Sequence, residues 1–375
     1  MRALLVEPSY RTKYPNLALM KISTKLKNEG YDVEYFKGMR HRSIEDSFNG
    51  GFDEIYITTL FTYDSEITVD TINYYHKSYS RSKIFVGGIF ASLNAEYVEE
   101  KTGIKPFIGY SKELDMLKPD YDLIKTGTKW DDFSFVFTSR GCVNRCPYCA
   151  VPEIEPETWI NPNWKDAIDL NKPNVMISDN NLTSQPIEHF KEVMDFLKEH
   201  KLKVIFDNGW DCRLFNENHL KHINGVKFLK GGLRFAFDNM SQEIHIQKTI
   251  QSCLDSGIKK DRLTIFILFN FNDTPKEAEY RARTIVNLDV RPYPQKYVPL
   301  NKLTRQPTYV GKYWTENLAR IFRFFYLMQG YYRKQTFPEW INKMDYHPKE
   351  SWPENKKQQY KNIVKAYEKY SWERK

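Results

Sequence analysis

The chain has 375 residues, of which 41% are hydrophobic and 15% aromatic, so it has ample material for buried cores and is not a disordered protein. It contains no apolar run of about 18 residues, which excludes a membrane-spanning helix, and its first residues turn polar too soon for a secretion signal. We therefore expect a cytoplasmic protein without a membrane partner.

The net charge of +8 comes from the end of the chain. Residues 301–375 hold 11 Lys and 5 Arg against 7 acidic residues, whereas the first 300 residues are close to neutral. A basic segment rich in aromatics is typical of surfaces that bind anionic molecules, and also of surface helices with a solvated lysine face. The sequence leaves both interpretations open, so an anionic substrate remains one of the alternatives.

In chain order, the first elements alternate between strands and helices, which predicts a parallel sheet covered by helices. Helices are expected from Leu17 to a stop at Gly30 and around Ile67–Tyr75. The predicted strands are Ala3–Val6, Asp32–Phe36, Glu54–Thr59, Lys83–Val86 and Pro106–Gly109. We interpret residues 1–125 as a five-stranded Rossmann-like domain.

A second series of βα units follows, at a spacing of about 30 residues. Its predicted strands are Phe133–Arg140, Val175–Asp179, Val204–Asp207, Leu233–Asp238, Leu263–Asn270 and Val290–Tyr297. Six units predict a partial (β/α)6 barrel over residues 126–300, with its chemistry beyond the carboxyl ends of the strands. Residues 301–375 are expected to form a helical, basic C-terminal extension that caps the barrel.

The most informative stretch is a cysteine loop directly after the first barrel strand. Cys142, Cys146 and Cys149 have the spacing C-x3-C-x2-C. Thiolates at such spacing bind zinc or an iron–sulfur cluster, and three of them on a four-iron cube leave one iron without a protein ligand. A zinc site completed by Cys212 or a histidine is the alternative.

This motif resembles that of the radical S-adenosylmethionine (SAM) superfamily, and the fuller string TSRGC…C-x-Y-C resembles the subgroup with a cobalamin-binding-like domain before the barrel. The resemblance covers residues 1 to about 300. It implies that Cys142, Cys146 and Cys149 bind a catalytic [4Fe–4S] cluster whose unique iron chelates SAM. Reductive cleavage of SAM would then yield a radical that removes hydrogen from the substrate, with flavodoxin or ferredoxin as the reductant.

The same resemblance implies cofactor-binding residues at five further positions. Tyr148 corresponds to the aromatic residue beside adenine, Asp179 and Asn180 stand where the methionine amino group is held, and Asp238 corresponds to a ribose contact. Asn270 falls at the turn after the fifth strand. Because such residues also end strands as ordinary turn formers, that interpretation stays open for the last four.

Cobalamin is not expected. Base-off cobalamin binding needs a D-x-H-x-x-G motif, and the only histidine with Asp two residues before it, His347, lacks the glycine and lies in the tail. Three functions therefore remain: a radical SAM enzyme with an unidentified substrate, a cobalamin-dependent radical SAM methyltransferase, and a non-catalytic zinc-dependent nucleic-acid-binding protein. Cys212 is interpreted as a buried packing thiol, and His219 and His222 as part of a solvated helix face.

Overall fold

The structure is a computed structural model that describes residues 1–41, 51–123, 125–346 and 352–371. Its internal contacts divide the chain into two compact units, Met1–Asn180 with Leu300–Pro307, and Asn181–Pro299 with Thr308–Lys375. Across the described ranges, no helix has the length and apolar character needed to cross a membrane.

The first unit opens with a parallel sheet. Its strands are β1 (Arg2–Glu7), β2 (Asp32–Lys37), β3 (Glu54–Thr59) and β4 (Lys83–Gly88), in the spatial order β2–β1–β3–β4. The accompanying helices are α1 (Leu17–Asn28), α2 (Ser65–Ser78), α3 (Ile89–Leu93), α4 (Ala95–Thr102) and α5 (Lys112–Asp115). The side chain of Asn16 caps α1 by accepting a hydrogen bond from the Leu19 backbone. Leu4 of β1 and Ile55 of β3 are buried in the core of this sheet.

The predicted fifth strand of this sheet, Pro106–Gly109, is wrong. In the described part of the chain, Phe107 forms only an isolated parallel bridge with Gly87. Phe107 and Ile108 are each 56% exposed, so this segment buries too little apolar surface to act as a core strand.

The rest of the first unit surrounds the cysteine loop. Strands β5 (Phe133–Val136), β6 (Ser139–Arg140), β7 (Trp159–Ile160) and β8 (Asn174–Ile177) occur here, with the short helix α6 (Val151–Ile154) and 3-10 turns at Lys129–Asp132 and Trp164–Ala167. β5 and β8 pair in parallel, whereas β6 and β7 pair antiparallel. The predicted strand Phe133–Arg140 is thus divided, and its last two residues belong to a separate hairpin.

The second unit also contains parallel strands. They are β9 (Lys203–Phe206), β10 (Lys227–Phe228), β11 (Leu233–Ala236), β12 (Leu263–Phe269) and β13 (Arg291–Lys296). β9 pairs with β10, and β12 lies between β11 and β13. The helices are α7 (Ile187–Glu199), α8 (Glu217–Ile223), α9 (Glu243–Asp255) and α10 (Pro275–Asn287), with 3-10 turns at Leu182–Ser184, Met240–Gln242 and Lys260–Arg262. The sequence did not predict β10, which is only two residues long.

The basic tail of the second unit is helical. It forms α11 (Glu316–Leu327), α12 (Gln329–Tyr332), α13 (Phe337–Tyr346) and α14 (Glu354–Ser371). Phe322 of α11 contacts Phe269 at the end of β12, with ring centroids 5.0 Å apart, so α11 packs on the β11–β12–β13 sheet. α11 and α12 are separate helices, because Met328 between them adopts an extended conformation.

These elements confirm the coarse prediction of an α/β protein with parallel sheets. The boundaries at residues 125 and 300 and the closure of six units into a partial barrel remain predictions.

Candidate functional site

The two ends of the cysteine loop are joined by the antiparallel pairing of β6 and β7. Ser139 pairs with Ile160 and Arg140 with Trp159, so residues 141–158 form a loop with fixed ends. Gly141 begins it with a φ of +76°, and a Cβ at that position would lie 2.2 Å from the carbonyl oxygen of Glu157. Only glycine combines this left-handed conformation with so close an approach of two backbone segments.

The three cysteines of the loop are half-buried, and backbone N–H groups donate to two of their sulfurs. The N–H of Asn144 lies 3.4 Å from Cys142 Sγ, and that of Val151 lies 3.5 Å from Cys149 Sγ. The N–H of Cys149 also donates to the carbonyl of Cys146 at 3.0 Å, which gives a tight turn. N–H donors to sulfur tune the potential of thiolate-bound clusters.

The donor chemistry of this loop fits an iron–sulfur cluster. Three thiols lie within eight residues, at intermediate exposure, on a loop with fixed ends. Within the described ranges, no three His, Cys, Asp or Glu side chains are grouped closely enough to hold a metal ion, so the loop supplies ligands without a preassembled site. Metal binding commonly draws such ligands together, because thiolates repel one another until a cation joins them.

A buried ionic network anchors the start of the loop. The Arg140 guanidinium donates to both carboxylate oxygens of Asp115, at 2.7 and 3.0 Å, and to Glu155 Oε1 at 2.9 Å. Glu155 Oε2 accepts the backbone N–H of Gly141 at 2.8 Å. The guanidinium carbon also lies 3.4 Å from the centroid of the Phe137 ring. Arg140 and Glu155 together therefore hold Gly141, the residue before Cys142, in one orientation through charge-assisted hydrogen bonds.

Asp115 has a second cationic partner, Lys21 of α1, whose Nζ lies 3.0 Å from Asp115 Oδ1. Burial raises the pKa of Asp115, but the charges and hydrogen bonds of Arg140 and Lys21 outweigh burial and hold it below its usual value. The pKa of Lys21 is lowered instead, chiefly by burial and also by the like charge of Arg140. The two cations therefore contribute unequally. Arg140 is the main partner of Asp115, whereas the attraction of Lys21 to Asp115 is smaller than the cost of burying its ammonium group.

Asp179 holds Thr138 and Ser139, which lead into the loop. It is buried after β8 and accepts hydrogen bonds from the Thr138 backbone at 2.6 Å, from the Thr138 hydroxyl at 2.5 Å and from the Ser139 hydroxyl at 2.7 Å. Burial raises its pKa to about 6, although these hydrogen bonds lower it. The structure thus brings Asp179 to the base of the cysteine loop, where it fixes the backbone.

The neighbouring Asn180 also belongs to this assembly. Its Nδ2 donates to Glu155 Oε2 at 2.5 Å, so Asn180, Glu155 and Arg140 form a continuous chain of hydrogen bonds. Tyr148 lies half-buried within the loop itself, next to Cys149. Their predicted contacts with SAM remain predictions.

The other two predicted cofactor contacts belong to the second unit. Asp238 Oδ1 accepts the Leu268 backbone N–H at 3.2 Å, and so links the turn after β11 to β12. Asn270 is fully buried at a φ of +69°, donates to the carbonyl of Tyr297 at 3.1 Å and accepts from the Gly311 backbone at 2.9 Å. Both side chains tie backbone segments together in the manner of turn formers.

Cys212, Cys253 and His219 have structural environments. Cys212 and Cys253 are buried, and burial raises the pKa of each thiol to about 12, which disfavours the thiolate that a metal needs. His219 is also buried, contrary to the predicted solvated face, and its Nδ1 lies 3.0 Å from Asn216 Oδ1 within a helix cap. His347, the one histidine with an Asp two residues before it, lies outside the described residues.

Sequence reasoning missed Asp115, Glu155 and Lys21. Arg140 was visible inside the cysteine motif, but no spacing rule connects it to an acid 25 residues earlier. In the sequence, Asp115 in a short helix and Glu155 within the cysteine loop resemble ordinary surface residues, and only tertiary structure shows that both are buried.

Comparisons with known proteins do not assign a family. No protein-family model matches the chain, and no curated protein matches it. One solved structure, described as the crystal structure of a galactofuranose binding protein, is similar over 72% of this chain and 76% of its own, at 12% identity and a TM-score of 0.18. A likeness at that TM-score supports no conclusion about fold or function.

Proposed function

We propose that the protein is a radical SAM enzyme that removes hydrogen from a substrate not yet identified. The observation that carries the proposal is the C-x3-C-x2-C loop, whose ends are fixed by a hairpin and whose sulfurs receive backbone N–H donors. Cys142, Cys146 and Cys149 would hold three irons of a [4Fe–4S] cluster. When bound, such a cluster supplies the electron that cleaves SAM reductively.

The residues of the chain prepare this site in three ways. Gly141 provides the turn that brings the loop back against Glu157. Arg140 and Glu155 hold the backbone of the loop in one orientation through charge-assisted hydrogen bonds. Asp179 fixes Thr138 and Ser139, so the strand that leads into the loop cannot shift. We further propose that the six βα units form the partial barrel that surrounds the substrate.

SAM cleavage by cysteine variants tests the proposal. We expect the anaerobically reconstituted and reduced protein to convert SAM to 5′-deoxyadenosine and methionine, and Cys146→Ala to abolish that activity. Cys253→Ala is the matched control, because Cys253 is buried in α9 and its substitution should leave cleavage intact. Formation of 5′-deoxyadenosine by the Cys146→Ala protein would contradict the site assignment.

A further inference from the structure

A cleft of about 460 Å³ lies between α8 and α9. Its walls are the loop that leads into α8, the start of α8 and one face of α9, and all of its lining residues belong to the second unit. The cysteine loop, by contrast, belongs to the first unit. Small-molecule sites are commonly clefts of about 300–1,000 Å³, so this cleft has room for a molecule larger than an inorganic ion.

The α9 wall of the cleft presents a row of polar side chains. His245, Lys248, Thr249 and Ser252 all line the cleft, and their spacing of i, i+3, i+4 and i+7 places them on one face of the helix. Thr249 is buried, and its hydroxyl donates to the carbonyl of Cys212 at 3.4 Å. This hydrogen bond ties α9 to the loop that forms the other wall.

The loop wall is also held in place by hydrogen bonds. Arg213 donates from its backbone N–H and from Nε to Asp211 Oδ1, each at 2.9 Å, and from Nη2 to Asp211 Oδ2 at 2.6 Å. Asp211 is buried, so it fixes the guanidinium and offsets its charge. The Asn216 side chain caps α8 by accepting the backbone N–H groups of Asn218 and His219, at 3.0 and 3.4 Å. Walls fixed before binding lower the entropic cost of holding a ligand.

Two opposite charges line the cleft without neutralising each other. Lys248 of α9 and Glu217 of α8 are both exposed, and within the described ranges neither forms a salt bridge. Lys248 has no acid one turn away on its own helix, where the residues are Ile244, His245, Gln251 and Ser252. Lys221, four residues after Glu217, does not pair with it either. Both charges thus remain available to a ligand.

Apolar side chains complete the lining. Phe215 and Leu220 are half-buried on the α8 side of the cleft. The Phe215 ring packs edge-on against Phe235, with centroids 5.1 Å apart, so its position is fixed from behind. A ligand with apolar side chains would gain from covering this surface.

We propose that this cleft binds a small apolar zwitterion of dipeptide size. Lys248 receives the carboxylate, Glu217 receives the ammonium group, and Phe215 with Leu220 covers the side chains. Capture of a terminal carboxylate or amine is a recurring mode of peptide recognition. A purely anionic ligand would meet the Glu217 carboxylate, and a purely cationic one would meet Lys248 and Arg213. The proposal does not rest on the cysteine loop, and its test needs neither cluster nor SAM, so its failure is distinguishable from failure of the proposed function.

Isothermal titration calorimetry of the full-length chain with the dipeptide leucyl-phenylalanine tests the proposal. We expect saturable binding at one site. The N-acetyl derivative, which lacks the amine, and the C-terminal amide, which lacks the carboxylate, should each bind about tenfold more weakly, the effect of losing one hydrogen bond between charged groups. No saturable binding at about 10 mM dipeptide would overturn the proposal. Equal or tighter binding of either derivative would also overturn it, and would indicate an anion site or an amine site.

Two variants assign the ends of the ligand. Lys248→Gln should weaken the dipeptide about tenfold and leave the affinity of the C-terminal amide unchanged, because the amide has no carboxylate to lose. Glu217→Gln should weaken the dipeptide and leave the affinity of the N-acetyl derivative unchanged. Lys221→Gln is the matched control, because Lys221 is an exposed lysine of α8 outside the lining. An equal loss in Lys221→Gln would show that general surface charge is responsible and would overturn the assignment.

Discussion

The buried network beneath the cysteine loop predicts very different losses of stability when Asp115, at its centre, or Lys21, at its edge, is replaced. Asp115 accepts three N–H donors from two cations, Arg140 and Lys21. In Asp115→Asn, an amide replaces the carboxylate, which leaves the buried Lys21 ammonium without a counter-charge and leaves Arg140 with Glu155 alone. Removal of one partner from a buried ion pair costs about 3–5 kcal/mol. We therefore expect Asp115→Asn to lower the free energy of unfolding by about that amount at pH 7.

Lys21→Met should cost less than about 1 kcal/mol, because it leaves no acceptor unsatisfied and removes the desolvation of an ammonium group. The Asp115 carbonyl, which accepts from Lys21 Nζ, keeps the Asn161 Nδ2 donor at 2.8 Å. Asp115 Oδ1 keeps Arg140 Nη2 at 3.0 Å. Methionine fills much of the volume of the lysine stem.

Urea unfolding followed by tryptophan fluorescence compares the two variants in the same buffer. The pKa of Asp115 lies below its usual value, so the stabilisation is complete above about pH 4 and is lost as the pH falls through the pKa of the folded state. Wild type should show this acid loss, and Asp115→Asn should lack it. If Lys21→Met lowered the free energy of unfolding by about 3 kcal/mol or more, as Asp115→Asn should, Lys21 would be a main partner of Asp115 and the reasoning would be refuted.

Two further predictions concern the base of the loop. The pKa of Asp179 is raised to about 6 by burial, above its unfolded value of about 3.9, so its ionisation lowers the free energy of unfolding as the pH rises from 4 through 6. Asp179→Asn should therefore flatten that part of the profile of stability against pH. An unchanged profile would contradict the raised pKa. Gly141→Ala should prevent iron loading measured after reconstitution, because its Cβ would clash with the Glu157 carbonyl. Gly127→Ala has a similar φ of +64° with no atom within 4 Å of its Cβ, so it should load iron normally; equal loss in both variants would show that backbone strain, not the clash, is responsible.

Much of the local structure was predictable from the sequence. Buried β-type runs such as Val204–Asp207 and the helix predicted from Leu17 to Gly30 agree with the structure to within a few residues, because hydrophobic periodicity reports burial directly. The same pattern made Pro106–Gly109 resemble a strand, and that prediction was wrong because Phe107 and Ile108 are exposed. The hairpin that divides the predicted strand Phe133–Arg140 depends on a two-residue pairing that carries no periodic signal.

The candidate site was predictable only in part. Three cysteines at motif spacing identify the loop, because ligand spacing is local information. The partners that hold the loop are not local. Asp115 and Glu155 accept hydrogen bonds from Arg140, Glu155 also accepts from Gly141, and Asn180 donates to Glu155 from a different element. Asp179 and Asn270 were noted as polar residues at strand ends, yet their hydrogen bonds to backbone groups depend on tertiary contacts.

The most direct test of the central claim is a metal and sulfide analysis after anaerobic reconstitution with iron, sulfide and zinc offered together. The account predicts a brown protein with about four iron and four sulfide per chain, and loss of both in Cys142→Ala. Stoichiometric zinc without iron would contradict the account and identify the loop as a zinc site.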